Sequence, residues 1–259
     1  MTKLAANLTM LFTELPFIER FGAAAAAGFQ GVEFLFPYAF EADAIAAQLK
    51  QHGLELVLHN LPAGNWDAGE RGIACHPDRV DEFRQGVDQA IRYAQALGVT
   101  QLNCLAGIVP PGASLQDAQR TLVANLTYAA SRLREVGIAL LIEPINTFDI
   151  PGFFLSRTGQ AEAIIRETGS DNLFIQYDIY HMQRMEGEIA TTLKDKLHLI
   201  KHVQLADNPG RNEPGTGEIN YGYLFRQLDA LGYEGWIGCE YKPKTSTAEG
   251  LGWRAAHGL

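Results

Sequence analysis

A chain of 259 residues with 47% hydrophobic and 20% charged content has the composition of an ordinary globular protein, which excludes collagen-like, coiled-coil and disordered readings. Its 21 Lys and Arg against 30 Asp and Glu leave a net charge of -9, so it repels nucleic-acid phosphates and anionic membranes, and neither is an expected partner. Cys75, Cys104 and Cys239 lie far apart without CxxC or Cys/His spacing, which points to free thiols in a reducing compartment over a disulfide framework or a zinc site. At the N-terminus Asn7 and Thr9 break a mildly apolar stretch and Glu14 and Glu19 follow, unlike a signal peptide. With no later run near the roughly 18 apolar residues that span a bilayer, the expectation is a cytoplasmic protein.

Short apolar runs alternate with longer stretches of helical periodicity from end to end, the pattern of βα units with a parallel sheet. Strands are expected at residues 4–8, 31–36, 55–59, 101–105, 138–142, 173–177, 202–205 and 236–239. Between the third and fourth, Val80, Phe83, Val87, Ile91, Ala94 and Leu97 recur at helical spacing and stop at Gly98, a C-cap. After the fourth, Ser114 and Asp117 form a capping box ahead of Leu115, Ala118, Leu122, Leu126, Ala129, Leu133 and Val136, with Gly137 closing the helix. The strands are apolar throughout, as parallel strands covered on both faces must be. Eight units of roughly 32 residues favour one closed (β/α)8 TIM barrel, and no linker interrupts them. An open dinucleotide-binding sheet would want GxGxxG after the first strand, where the chain has Asn7, Leu8, Thr9 and Met10. The two longest loops, 60–77 and 208–219, are candidates for function.

In such a barrel the chemistry sits where strands end. The fifth strand runs into Glu143, the sixth into Asp178, the seventh contains Gln204 and the eighth runs into Glu240, spaced 35, 26 and 36 residues apart. Side chains at the ends of adjacent strands converge on the barrel mouth, and three carboxylates there repel unless protonated or bridged by a cation. The set Glu143, Asp178, Gln204 and Glu240 is all oxygen, the preference of Mg²⁺, with Mn²⁺ as the alternative. For any one of these acids a loop salt bridge is as good an explanation; jointly, the metal reading is preferred.

Further polar residues have weaker signals. His59 ends the third strand and His181 follows Asp178 by three residues, so either could orient a substrate oxygen or anchor a loop. Arg71, Arg211 and Lys242 are candidates to grip an anionic substrate, though most cations are solvated. Asp149, six residues beyond Glu143, could support a ligand from behind or form the turn before Ile150 and Pro151.

The stretches NLTMLF, GVEFLFPY, LHNLPAGNWDAGERGIAC, LIEPINTFDIPGF, IQYDIYHMQRMEGE, ADNPGRNEPGTGEINY and GCEYKP span almost the whole chain. On them the chain resembles the hydroxypyruvate isomerases of the xylose-isomerase-like TIM-barrel superfamily. The resemblance implies a divalent-metal-dependent aldose/ketose-type isomerase acting on a small 2-keto acid through a cis-enediolate. Glu143 and Glu240 would then exchange protons, with Glu143, Asp178, Gln204 and Glu240 around Mg²⁺. It also suggests a homo-oligomer. Related ketose 3-epimerases tend to carry histidine at the third metal position, where this chain has Gln204. The alternatives are a 2-oxo-tetronate isomerase, a ketose 3-epimerase, an endonuclease IV-like hydrolase, and a barrel that only binds sugars or acids.

Overall fold

The computed structural model describes residues 2–259. The first half of the chain forms β1 (Lys3–Asn7), α1 (Arg20–Ala26), β2 (Gly31–Glu33), α2 (Ala42–His52), β3 (Glu55–Asn60), α3 (Val80–Leu97), β4 (Gln101–Cys104) and α4 (Leu115–Arg134). The second forms β5 (Ala139–Ile142), α5 (Thr158–Thr168), β6 (Leu173–Asp178), α6 (Ile179–Met185), α7 (Ile189–Lys196), β7 (Ile200–Leu205), α8 (Tyr221–Ala230) and β8 (Trp236–Cys239), then α9 (Thr247–Gly250) and α10 (Trp253–Ala256). Each strand pairs in parallel with the next, and β8 returns to β1 with Lys3 opposite Trp236 and Ala6 opposite Cys239. The result is the closed eight-stranded TIM barrel that the alternation predicts.

All eight expected strands form, β8 with the expected ends and the others with ends that differ. β6 reaches one residue further, to Asp178, and β3 reaches Asn60. β2 stops at Glu33 instead of residue 36, because its register against β3 shifts after Val32 and the Leu35 N–H bonds Thr9 Oγ1 at 2.9 Å. This departure carries Phe34 and Leu35 to the wall of the mouth. α3 buries Phe83, Val87, Ala90, Ile91, Ala94 and Leu97 on one face, and Gly98, at φ 72°, closes it. Only glycine adopts that left-handed conformation without cost. Ser114 caps α4 through the Asp117 N–H at 3.0 Å. The helix ends at Arg134, short of Val136, where Gly137 turns at φ 74° and donates back to the Arg134 carbonyl. The three cysteines are buried and free. Among the described residues no helix is long and apolar enough to cross a membrane.

Most of the apolar core lies between the sheet and the helices, while inside the barrel there is a smaller cluster of Ala5, Val57, Leu58 and Leu141. Side chains alternate across a strand, so residues two positions further along share a face. Asn7 follows Ala5, Glu143 follows Leu141, and Gln176 and Asp178 follow Phe174, so the barrel interior turns polar toward the C-terminal ends of the strands. The fully buried Glu33 organises that layer. Its Oε1 accepts from Asn7 Nδ2 at 2.9 Å and Gln204 Nε2 at 2.7 Å, while its Oε2 lies 2.7 Å from His202 Nε2. Gln176 Nε2 in turn donates to Gln204 Oε1 at 2.6 Å.

Gly238, two positions before Glu240, makes room for this layer: a Cβ there would lie 2.3 Å from Glu33 Oε2. Gly238→Ala is therefore expected to cost about 1–3 kcal/mol through overpacking, seen as a fall in Tm. Gly159→Ala, in α5 with nothing within 4 Å of the new Cβ, is expected to leave Tm unchanged or slightly raised. Equal Tm values for the two variants would refute the account of Gly238.

Candidate active site

A cavity of about 360 Å³ opens at the C-terminal end of the barrel. Its polar lining includes Glu143, Gln176, His181, Gln204, Arg211, Glu240 and Lys242, and Met10, Phe34, Leu35, Trp66, Ile145 and Ile150 are among its apolar walls. Each acid is delivered by a strand end. Glu143 directly follows β5 and is almost fully buried, with Asn103 Nδ2 of β4 donating to its Oε2 at 3.0 Å. Asp178 is both the last residue of β6 and the N-cap of α6, its Oδ1 accepting from the backbone N–H groups of Tyr180 at 2.8 Å and His181 at 3.4 Å. Its other oxygen, Oδ2, is buried without a hydrogen-bond partner. Glu240 directly follows β8.

Arg211 is the basic group among these acids. Its guanidinium nitrogen lies 3.4 Å from Glu240 Oε1 and 3.7 Å from Asp178 Oδ2. The loop that carries it is pinned by Asp207, whose carboxylate accepts the N–H groups of Asn208, Gly215, Gly217 and Ile219 at 2.9–3.0 Å. Arg211 itself has φ 54°, a strained conformation for a side-chain-bearing residue, and its carbonyl is held by the Lys242 N–H at 2.8 Å.

Burial dominates the electrostatics. Together with the neighbouring charges of Glu240 and Asp178, it pushes Glu143 well above the usual carboxylate range. It also pushes Glu240 up to about 8 and Asp178 up to about 6, in both cases against the opposing pull of Arg211. Burial, with Arg211 and Arg184, holds His181 well below its ordinary value and hence neutral. The ligating atoms of Glu143, Asp178 and His181 lie within 4.8 Å of one another, so this group could hold a metal ion. The partnerless Asp178 Oδ2 is a donor atom of the kind such an ion takes.

The other sequence candidates fall at different depths. Gln204 lines the cavity but already holds Glu33 and Gln176 through its amide. Lys242 is exposed at the rim. Arg71 stacks on Trp66, with its Cζ 4.2 Å from the ring centroid, and donates to the carbonyls of Trp66 and Glu70. His59 lies against Phe34 and Tyr38, and burial pushes it down to about 4. Its neighbours Leu58 and Asn60 line the cavity instead. Asp149 accepts from Asn146 Nδ2, Tyr180 Oη and Arg184 Nη1, and so supports the cavity wall from behind. Asn103, Asn146, Gln176, Glu33 and His202 are partners that the strand-end reading passes over. For Gln176 and His202 period-two spacing was the available signal, since Gln176 precedes Asp178 by two and His202 precedes Gln204 by two.

A family model described as xylose isomerase-like TIM barrel matches residues 21–257. The chain belongs to the xylose isomerase-like TIM barrel family. Within reach of this barrel family, the chain is 56% identical to the hydroxypyruvate isomerase of Escherichia coli K12, over 98% of both chains. It is 46% identical to a 2-oxo-tetronate isomerase of Cupriavidus necator, over 98% of this chain and 97% of the relative. A crystal structure from Brucella melitensis, described as AP endonuclease, family 2, superposes with a TM-score of 0.96 at 46% identity, covering 99% of each chain.

The raised Glu240 links stability to pH. Its value rises from 4.5 to about 8 on folding, so the folded state binds the proton more tightly. That contribution is complete below pH 4.5 and is lost as pH rises through about 8. In chelator-treated protein, Glu240→Gln should therefore raise Tm relative to wild type at pH 8 by a few degrees, and the gap should close by pH 4.5. A Glu240→Gln variant that melts below wild type at pH 8 would show that the Arg211 pair, and not burial, governs Glu240.

Proposed function

We propose that the protein interconverts hydroxypyruvate and tartronate semialdehyde (2-hydroxy-3-oxopropanoate), with Mg²⁺ or Mn²⁺ held by Glu143, Asp178, Gln204 and Glu240. The observation that carries this reading is the pair of buried glutamates, Glu143 and Glu240, with raised proton affinity in one small cavity. Environments that push carboxyls toward neutral pH are what acid/base exchange at carbon needs. The 56% identity to a hydroxypyruvate isomerase across the whole length supports the substrate assignment.

The reaction moves one hydrogen from C3 to C2 and one from the C3 oxygen to the C2 oxygen, with no net oxidation. One glutamate, as carboxylate, takes the C3 proton, and the electron pair left behind forms the cis-enediolate across C2 and C3. The other, as carboxylic acid, delivers a proton to C2, and the oxygens exchange their own protons. β5 and β8, which carry the two glutamates, are separated by β6 and β7 in the ring, so the carboxyls approach the substrate from different walls. When bound, the cation supplies Lewis-acid polarisation of the C2 carbonyl and charge compensation for the enediolate oxygens. Arg211 and Lys242 are the cationic groups of the cavity lining and would receive the substrate carboxylate, with Arg71 behind Trp66.

A second reading is a 2-oxo-tetronate isomerase. The cavity of about 360 Å³ has room for a fourth carbon, and the 46% identity to such an enzyme points the same way. The chemistry is unchanged, so kcat/KM for the two acids side by side separates the readings. Net charge favours either acid over the DNA substrate that the Brucella melitensis protein's description implies.

Glu143→Gln and Glu240→Gln should each lower kcat by about 10²- to 10⁴-fold. NMR of hydroxypyruvate turnover in D₂O should show deuterium on the product carbon, and chelation should abolish turnover until Mg²⁺ is restored. Product without carbon-bound deuterium after a single turnover would replace proton transfer with a hydride shift. Arg211→Ala should raise KM more than Arg71→Ala does; the reverse order would assign carboxylate recognition to Arg71.

A further inference from the structure

His181 faces the acid cluster with one ring nitrogen and contacts a buried asparagine with the other. Asn146, fully buried in the loop after β5, has its side-chain orientation fixed by backbone chemistry. One of its two terminal atoms accepts the N–H groups of Phe148 at 3.1 Å and Asp149 at 2.8 Å, so that atom can only be the oxygen. The other is therefore the NH₂ group. It has two hydrogens and faces two acceptors, Asp149 Oδ2 at 3.1 Å and His181 Nδ1 at 2.6 Å. Asp149 is itself held against rotation by Tyr180 Oη at 2.9 Å and Arg184 Nη1 at 2.7 Å.

An N–H pointed at Nδ1 requires a lone pair there, which excludes both the Nδ1–H tautomer and the doubly protonated ring. We infer that Asn146 is a positioning residue that locks His181 in its Nε2–H tautomer and makes it a neutral hydrogen-bond donor to the substrate, not a metal ligand. The Nε2 atom lies 3.5 Å from Asp178 Oδ2 and 3.8 Å from Glu143 Oε1, facing the cavity from the acid cluster. Arg211 Nη2 is 3.5 Å from the same nitrogen, too distant to compete with the 2.6 Å contact at Nδ1. Distance alone admits His181 beside Glu143 and Asp178 around an ion, but metal ligation needs a lone pair on the ligating nitrogen. The hydrogen bond behind the ring thus leaves the ion to oxygen ligands, and the Nε2–H free for an oxygen on which charge develops. That catalytic role rests on the isomerase reading; the tautomer does not.

The test separates the two. Long-range ¹H–¹⁵N NMR of the full-length protein, labelled at histidine, reports the tautomer of each ring directly, with His181 assigned by loss of its signal in His181→Gln. Wild type should show a protonated Nε2 and an unprotonated Nδ1, with no metal-ligand shift of Nε2 when Mg²⁺ is added. Asn146→Asp keeps an acceptor for the Phe148 and Asp149 N–H groups and replaces the donor at Nδ1 with an acceptor, so the proton should move to Nδ1. If the isomerase reading also holds, kcat should fall about 10²-fold with KM nearly unchanged, the mark of a donor acting in the transition state. A wild-type ring protonated at Nδ1, or an Nε2 signal displaced by Mg²⁺, overturns the inference whatever the activity. An unmoved tautomer in a folded Asn146→Asp also overturns it. A switched tautomer with unchanged kcat keeps the lock and removes the catalytic role.

Discussion

Four carboxylates, Glu33, Glu143, Asp178 and Glu240, are buried in one end of a barrel, and the cost of keeping them there governs the rest of the structure. Buried acids survive only if protonated, hydrogen-bonded or faced by a cation. Each of the four uses a different combination. Glu33 takes hydrogen bonds from Asn7, Gln204 and His202, and its space depends on the missing side chain of Gly238. Asp178 uses the first amides of α6 for one oxygen, while the other has no hydrogen bond and faces Arg211 at 3.7 Å. Glu143 has an asparagine, and Glu240 has Arg211. The groups with the poorest compensation are those that the proposed chemistry employs.

The barrel was legible because its signal is repetitive. Eight apolar runs, glycine stops such as Gly98 and the Ser114 cap each specify a local event, and their spacing leaves one closed arrangement. The acids were legible for the same reason, since Glu143, Asp178 and Glu240 stand at equivalent places in the fifth, sixth and eighth units. What the sequence hid are features set by depth and orientation. His59 and Asn60 are adjacent, yet strand alternation sends His59 to the packing beside Phe34 and Asn60 to the cavity. The earlier end of β2 depends on Thr9, a residue of another unit, so no local pattern announces it. Asn146 reads as an ordinary loop residue until the turn that fixes its amide is visible.

Strand alternation also explains why the seventh strand presents an amide and not an imidazole to the acids. His202 and Gln204 share the inward face, but His202 lies one layer deeper, paired with Glu33. Gln204 stands level with Asp178 in the β6–β7 register, and its NH₂ is committed to the Glu33 carboxylate. With that end of the amide fixed, its oxygen is the atom left for other partners, one of which is Gln176. The deep network therefore presents oxygen to the layer above. The same logic operates on the opposite wall, where an Asx turn fixes Asn146 and Asn146 fixes His181.

These two fixed amides give the site its chemical character. An amide bound to a carboxylate exposes oxygen, and an amide bound to backbone N–H groups exposes N–H; the first favours a hard cation, the second turns a histidine into a donor. The consequence is a division of labour that the acids alone could not produce. Three carboxylates and an amide oxygen attract positive charge, while His181 and Arg211 face the same cavity with N–H groups and attract negative charge. A 2-keto acid has both requirements in one molecule, carbonyl and hydroxyl oxygens to be polarised and a carboxylate to be received. The net charge of -9, which repels polyanions at a distance, is thus compatible with a small anion once it is inside the cavity, where local donors outweigh the distant surface.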